Sequence, residues 1–104
     1  MPANNMNPIA INDAGKVCVS GELSFATVPD LNLWGCAFIK QNPKPVFDLD
    51  KVTFSDNAGV ALLVSWSRCA KGKNKEISFV NLPKQLLDLV EAYGLEEVLS
   101  LACL

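Results

Sequence analysis

Hydrophobic and polar positions along this 104-residue chain fall into short strand-like runs alternating with longer helical ones. Ile9 to Ile11 and Lys16 to Ser20 flank the turn formers Asn12-Asp13-Ala14-Gly15, which predicts an opening β-hairpin with Val17 and Val19 on one face. After Gly21 an irregular segment leads to Thr27-Val28-Pro29-Asp30. There a Thr cap, a first-turn proline and an acid three residues on predict a helix running to about Phe38. Asn42-Pro43-Lys44-Pro45 breaks the chain, and Val46-Phe47-Asp48-Leu49 reads as a short buried strand. A second helix is expected after Asn57, carrying through to about Lys71 and ended by Gly72 and Lys73-Asn74-Lys75. Glu76 to Val80 is the next strand. Asn81-Leu82-Pro83 caps a third helix through Tyr93, Gly94 stops it, and Leu95 to Leu101 has the spacing of a short final helix. The order ββαβαβα plus a terminal α defines an α/β domain, with a largely parallel or mixed sheet of about four strands and helices packed against it.

The second helix holds the most informative pattern. On a wheel of about 100° per residue, Ala58, Leu62, Leu63, Trp66, Cys69 and Ala70 gather on one side, which is expected to face the sheet. The opposite side holds Ser67, Arg68 and Lys71, yet also Val60, Ala61 and Val64, which a purely solvated surface does not require. Two readings stand: these apolar positions extend a docking surface, or a neighbouring helix covers Val60 and Val64. At the helix start, Asn57 suits the N-cap, an interaction worth about 1 kcal/mol, and Asp56 adds favourable charge. Ala58 and Gly59 put almost no side chain on the first turn. Either that end is open to a visiting surface, or Gly59 lets the helix pack close to a neighbour.

Composition narrows the field. A chain of this length, half of it hydrophobic, forms one domain, expected over 9–104 behind a polar, flexible segment 1–8. The formal net charge of −2 gives no general attraction to nucleic acid or anionic lipid. Residues 1–8 lack the features of a secretory signal, and no apolar run approaches the roughly 20 residues of a membrane span, so a cytoplasmic protein without direct membrane insertion is expected. With no histidine, and four cysteines (Cys18, Cys36, Cys69, Cys103) that form no CxxC pair, no metal, no cofactor and no catalytic activity are expected. No phosphate-binding loop is present, and no small-molecule substrate is expected. Arg68, Lys71, Lys73 and Lys75 read as a solvated face, Asp48, Asp50 and Asp56 as turn and cap residues, and Trp34 and Trp66 as contacts with the sheet. Glu91, Glu96 and Glu97 read as solvated, and Tyr93 as the edge of an interface or solvated with them.

Three blocks give the chain a family resemblance: Ser20-Gly21-Glu22-Leu23 with Thr27, Phe47-Asp48-Leu49 through Asp56-Asn57-Ala58-Gly59, and Leu86 to Val90 with Tyr93-Gly94-Leu95. They resemble the STAS family, shared by anti-sigma factor antagonists and sulfate-transporter tails, and imply a SpoIIAA-like fold. The middle block is similar to the family's Asp-Ser-(Ser/Ala/Thr)-Gly motif, with one departure. The hydroxyl phosphorylated in the sigma-factor branch falls on Asn57, which cannot be phosphorylated there. Val80 to Leu87 and Gly59 to Leu63 are most similar to the branch that serves Mla-type phospholipid transporters. That resemblance implies a non-catalytic adaptor bound to the ATP-binding subunit of an inner-membrane ABC transporter. The partner-binding residues implied are Ser55, Asp56, Asn57, Ala58, Gly59, Val60, Ala61 and Val64. The alternative is an anti-sigma factor antagonist, with Asn57 holding it unmodified or Ser55 or Ser24 supplying a substitute phosphoacceptor.

Overall fold

The computed structural model describes residues 9–12 and 15–99. The elements are β1 (Ile9–Ile11), β2 (Val17–Leu23), α1 (Val28–Gln41), β3 (Val46–Ser55), α2 (Asn57–Gly72), β4 (Ser78–Val80) and α3 (Lys84–Ala92). They form one four-stranded sheet in the order β1-β2-β3-β4. β1 is antiparallel to β2, while the β2–β3 and β3–β4 pairs are parallel. Parallel neighbours need a crossover, and α1 and α2 supply the two. The sheet is thus mixed and the element order is ββαβαβα, as the hydrophobic pattern predicts.

Segment 1–8 and Cys103 lie outside the described residues, as does the end of the expected final helix. Its described part is one turn in which the Leu99 N–H donates to the Leu95 carbonyl at 3.0 Å.

The core gathers on Phe47. Its ring lies 5.7 Å from Phe38 of α1, 4.4 Å from Trp66 of α2 and 6.0 Å from Phe79 of β4. Both crossover helices therefore pack on the sheet face that carries Val17, Val19, Phe47 and Leu49, all fully buried. Gly35 lets α1 and α2 approach closely, because a Cβ there would overlap the Trp66 indole. The same contact is fixed by polar groups: Trp66 Nε1 donates to the Asn32 carbonyl at 3.4 Å and Ser65 Oγ to Asn32 Oδ1 at 2.8 Å. Trp34, expected against the sheet, instead points outward and is 44% exposed, since Leu31, Gly35, Phe38 and Ile39 already fill the buried face of α1.

β3 runs six residues beyond the expected Leu49. The register pairs Cys18 with Asp48 but Ser20 with Lys51, and Gly21 with Val52 but Glu22 with Phe54, so β3 carries an extra residue at two places. Each bulge shifts the inward set, which becomes Phe47, Leu49, Val52 and Ser55. Gly21 sits at φ +86°, a backbone setting that favours glycine, beside the second bulge.

Thr27 precedes α1 but does not cap it with its side chain. Its Oγ1 donates to the Glu22 carbonyl at 2.7 Å and accepts from the Ser24 N–H at 3.0 Å, pinning the β2–α1 turn. α1 continues past Phe38 to Gln41, where the Lys75 ammonium donates to the Ile39 and Lys40 carbonyls at 2.7 and 2.6 Å. A cation on free carbonyls at a helix C-terminus is favourable, so Lys75 belongs to the fold and not to a solvated basic cluster. β4 is shorter than expected. α3 begins at Lys84 with no side-chain cap, and Asn81 instead turns at φ +58° and donates to Asp48 Oδ1 at 3.1 Å.

Candidate functional site: the β3–α2 junction and the exposed ridge of α2

β3 ends and α2 begins with no intervening loop, so the junction is held at several points. The Asp56 N–H donates to the Leu23 carbonyl at 3.2 Å, tying the start of α2 to the end of β2. The Ser55 N–H donates to Gln85 Oε1 at 3.1 Å, tying it to α3. The cap itself is Asp56: its Oδ1 accepts from the Ala58 N–H at 2.8 Å, and its backbone has the extended conformation of an N-cap. Asn57, the expected cap, is the first helical residue and is exposed.

The opening turn is less bare than its small residues suggest. Ala58 is 7% exposed, and Gly59 is buried where a Cβ would strike the Ser55 hydroxyl and lie 3.1 Å from Leu23 Cβ. Gly59 thus serves close packing inside the domain. Ser55 is 2% exposed and its hydroxyl donates to the Asp56 carbonyl at 3.1 Å, which removes it as a substitute phosphoacceptor. Val60 is a core residue at 5% exposure, and Val64 is half-buried against the same core. Of the partner-binding positions expected from sequence, Asn57 and Ala61 are exposed, Asp56 and Val64 are partly so, and Ser55, Ala58, Gly59 and Val60 lie beneath.

Asn57, Ala61 and Val64 line a groove of about 550 Å³ that Val60 also borders, with Tyr93 and Leu95, just beyond the end of α3, on its other side. Asn57 stands at one end and Arg68 at the other. On the far side of Asn57 lies a second depression of about 580 Å³, where Phe54, Gln85 and Leu89 meet. Phe54 (43% exposed) and Gln85 are absent from the sequence-derived set. An aromatic at a strand end was the available signal for Phe54, but the bulges hide its outward phase; no local pattern marks Gln85, whose bond to Ser55 spans 30 residues. Tyr93, 54% exposed, edges the first groove.

The chemistry here suits contact. Among the described residues no cluster of three His, Cys, Asp or Glu is placed to hold a metal, and no helix is long and apolar enough to cross a membrane. Among the described residues the one clearly displaced thiol is Cys36 of α1, pushed up from 9.0 to about 11 by burial, by its hydrogen bond with Cys69 of α2 and by the charge that Cys69 would carry, with Lys40 pulling the other way.

Comparison with known families gives a match over residues 10–101 to the family described as Mlab, STAS domain. The chain belongs to the STAS family. This STAS domain is similar to a chain of the Acinetobacter MlaFEDB complex in an ATP-bound conformation, at 27% identity and a TM-score of 0.78, over 90% of this chain and 98% of that one. It shares its fold with an anti-sigma factor antagonist from Mycobacterium paratuberculosis, at 24% identity and a TM-score of 0.75, over 92% and 83% of the two chains. The same holds for the antagonist SpoIIAA in its unphosphorylated form, at 16% identity and a TM-score of 0.69, over 86% and 83%. No curated protein matches the chain. Together these make it a STAS domain like MlaB, with a SpoIIAA-like fold.

Proposed function

We propose that this STAS domain is a non-catalytic adaptor that binds and supports the ATP-binding subunit of an inner-membrane ABC transporter for phospholipid, of the Mla type. It sits on the cytoplasmic side and is held at the membrane by that partner. The observation that carries the reading is the 27% identity with a chain of the MlaFEDB complex, which extends over 98% of that chain. The groove beside α2 fits it, offering an apolar floor with Asn57, Ala61, Val64 and Tyr93 at the surface. A domain of this size can present about 800 Å² to a partner, enough for a stable complex.

Binding is the mechanism. A protein that binds only the folded, assembly-competent ATPase stabilises that state by mass action, and biases its conformations if it prefers one. The other family role, partner switching through phosphorylation, has no hydroxyl to act on at Asn57, and Ser55 is buried, which leaves it only the half-buried Ser24 of the two substitutes considered.

Affinity purification of the tagged chain from its native host tests this. Recovery of an ABC ATPase with its permease in stoichiometric amount is the expected result. Recovery of a sigma-factor regulator in their place, or a mass gain on incubation with an anti-sigma kinase and ATP, would overturn it.

A further inference from the structure

The exposed line of α2 does not stop at the groove. Asn57, Ala61, Val64, Arg68 and Lys71 follow one another at intervals of 4, 3, 4 and 3 residues. At about 100° per residue they stay within roughly 40° of one line along about 21 Å of helix. A second helix packs along such a line. The line changes character as it goes: an amide, then two small apolar side chains, then two cations. Arg68 and Lys71 are exposed, and among the described residues neither has a carboxylate partner, the one ion pair there being Lys84 with Asp88 at 3.0 Å.

The surface around these cations is shaped. Arg68 borders both the apolar groove and a neighbouring cavity of about 640 Å³ that Lys71 also lines, together with Ile77 and Val98. Glu76 and Glu97 also border this cavity, and the Lys75 ammonium is committed to the α1 carbonyls. Two exposed cations on α2, without an ion-pair partner among the described residues, therefore stand at the end of an apolar groove.

We propose that the partner lays an amphipathic helix along this ridge, with apolar side chains over Ala61 and Val64 and acidic side chains at Arg68 and Lys71. The inference rests on the adaptor reading and places this helix in the ATP-binding subunit. A second copy of the chain is a poor occupant, because the ridge carries no acid to meet its own cations. An anionic lipid surface is a poor one too, because the chain's net charge of −2 gives it no general attraction to such a surface.

The test uses the purified ATP-binding subunit, titrated with the whole chain at low and high salt. Reversing both charges (Arg68→Glu with Lys71→Glu) is expected to weaken binding about tenfold or more at low salt and to invert its salt dependence, so that affinity rises with salt, whereas Arg68→Lys with Lys71→Arg keeps the behaviour of the unaltered chain. Carbodiimide coupling of the unaltered complex, which needs no variant, is expected to join Lys71 to an Asp or Glu in a helix of the ATPase. Undiminished binding by the charge-reversed protein, or a complex in which Lys71 couples to no ATPase carboxylate, overturns the proposal and leaves the adaptor reading standing. Failure of the unaltered chain to bind the ATPase removes both. Sedimentation with phosphatidylglycerol vesicles that needs Arg68 and Lys71, or a dimer in ultracentrifugation that Ala61→Arg abolishes, would assign the ridge to another occupant and overturn it.

Discussion

Asp56 and Asn57 are chemically close, and either side chain can cap a helix. The structure gives the cap to Asp56 and leaves Asn57 on the surface. Asp56→Ala is therefore expected to cost about 1 kcal/mol in urea denaturation, and Asn57→Ala to leave stability nearly unchanged. Equal losses at the two positions would show that the cap is misassigned. Gly59→Ala forces a methyl group against the Ser55 hydroxyl and Leu23, and overpacking of this kind costs about 1–3 kcal/mol by the same measurement. Cys36 makes stability depend on pH in a definite direction. Its thiol stays protonated in the folded protein up to about pH 11, while in the unfolded chain it ionises near 9.0. The group's contribution is therefore fully present below pH 9 and is lost as pH rises through 11. Between pH 8 and pH 10 the urea midpoint should fall less for Cys36→Ser than for the unaltered protein.

Among the elements, α1 depends on a residue outside itself. The Lys75 ammonium, 34 residues beyond the last residue of α1, meets two of its final carbonyls. Lys75→Met keeps much of the aliphatic stem but removes the charge, and is expected to lower stability by about 0.3–1 kcal/mol, read from thermal unfolding. β3 shows why sequence period fails where a strand is bulged. Phe47 and Leu49 alternate as a strand should, but the next inward residues are Val52 and Ser55, so the alternation breaks at Asp50 while hydrogen bonding to β2 continues. The helices suffered less, because their apolar stripes repeat over more residues. α2, expected to end near Lys71, ends at Gly72.

For the whole molecule, burial decides which small residue of α2 can be used to probe a partner. Ala58, whose low bulk suggests an open contact, is 7% exposed, and an arginine there would disturb the packing of the domain. Ala61 lies exposed in the groove. Ala61→Arg is expected to keep the circular dichroism spectrum and melting temperature and to lose the ATPase in co-purification, while Ala58→Arg should lose folded protein first. An Ala61→Arg protein that folds and still recovers its partner would move the contact elsewhere.

The linear order of apolar and polar residues determined the element order, the mixed sheet and the membership of Phe47 and Trp66 in the core. Those properties follow from local periodicity and from turn residues acting over a few positions. Tertiary structure alone decided that Ser55, Gly59 and Val60 lie under the surface while Asn57 and Ala61 lie on it. The face that a helix shows to solvent depends on what packs beside it, here β2 through Leu23 and α3 through Gln85, Tyr93 and Leu95. Those neighbours are distant in sequence, and folding alone brings them to α2.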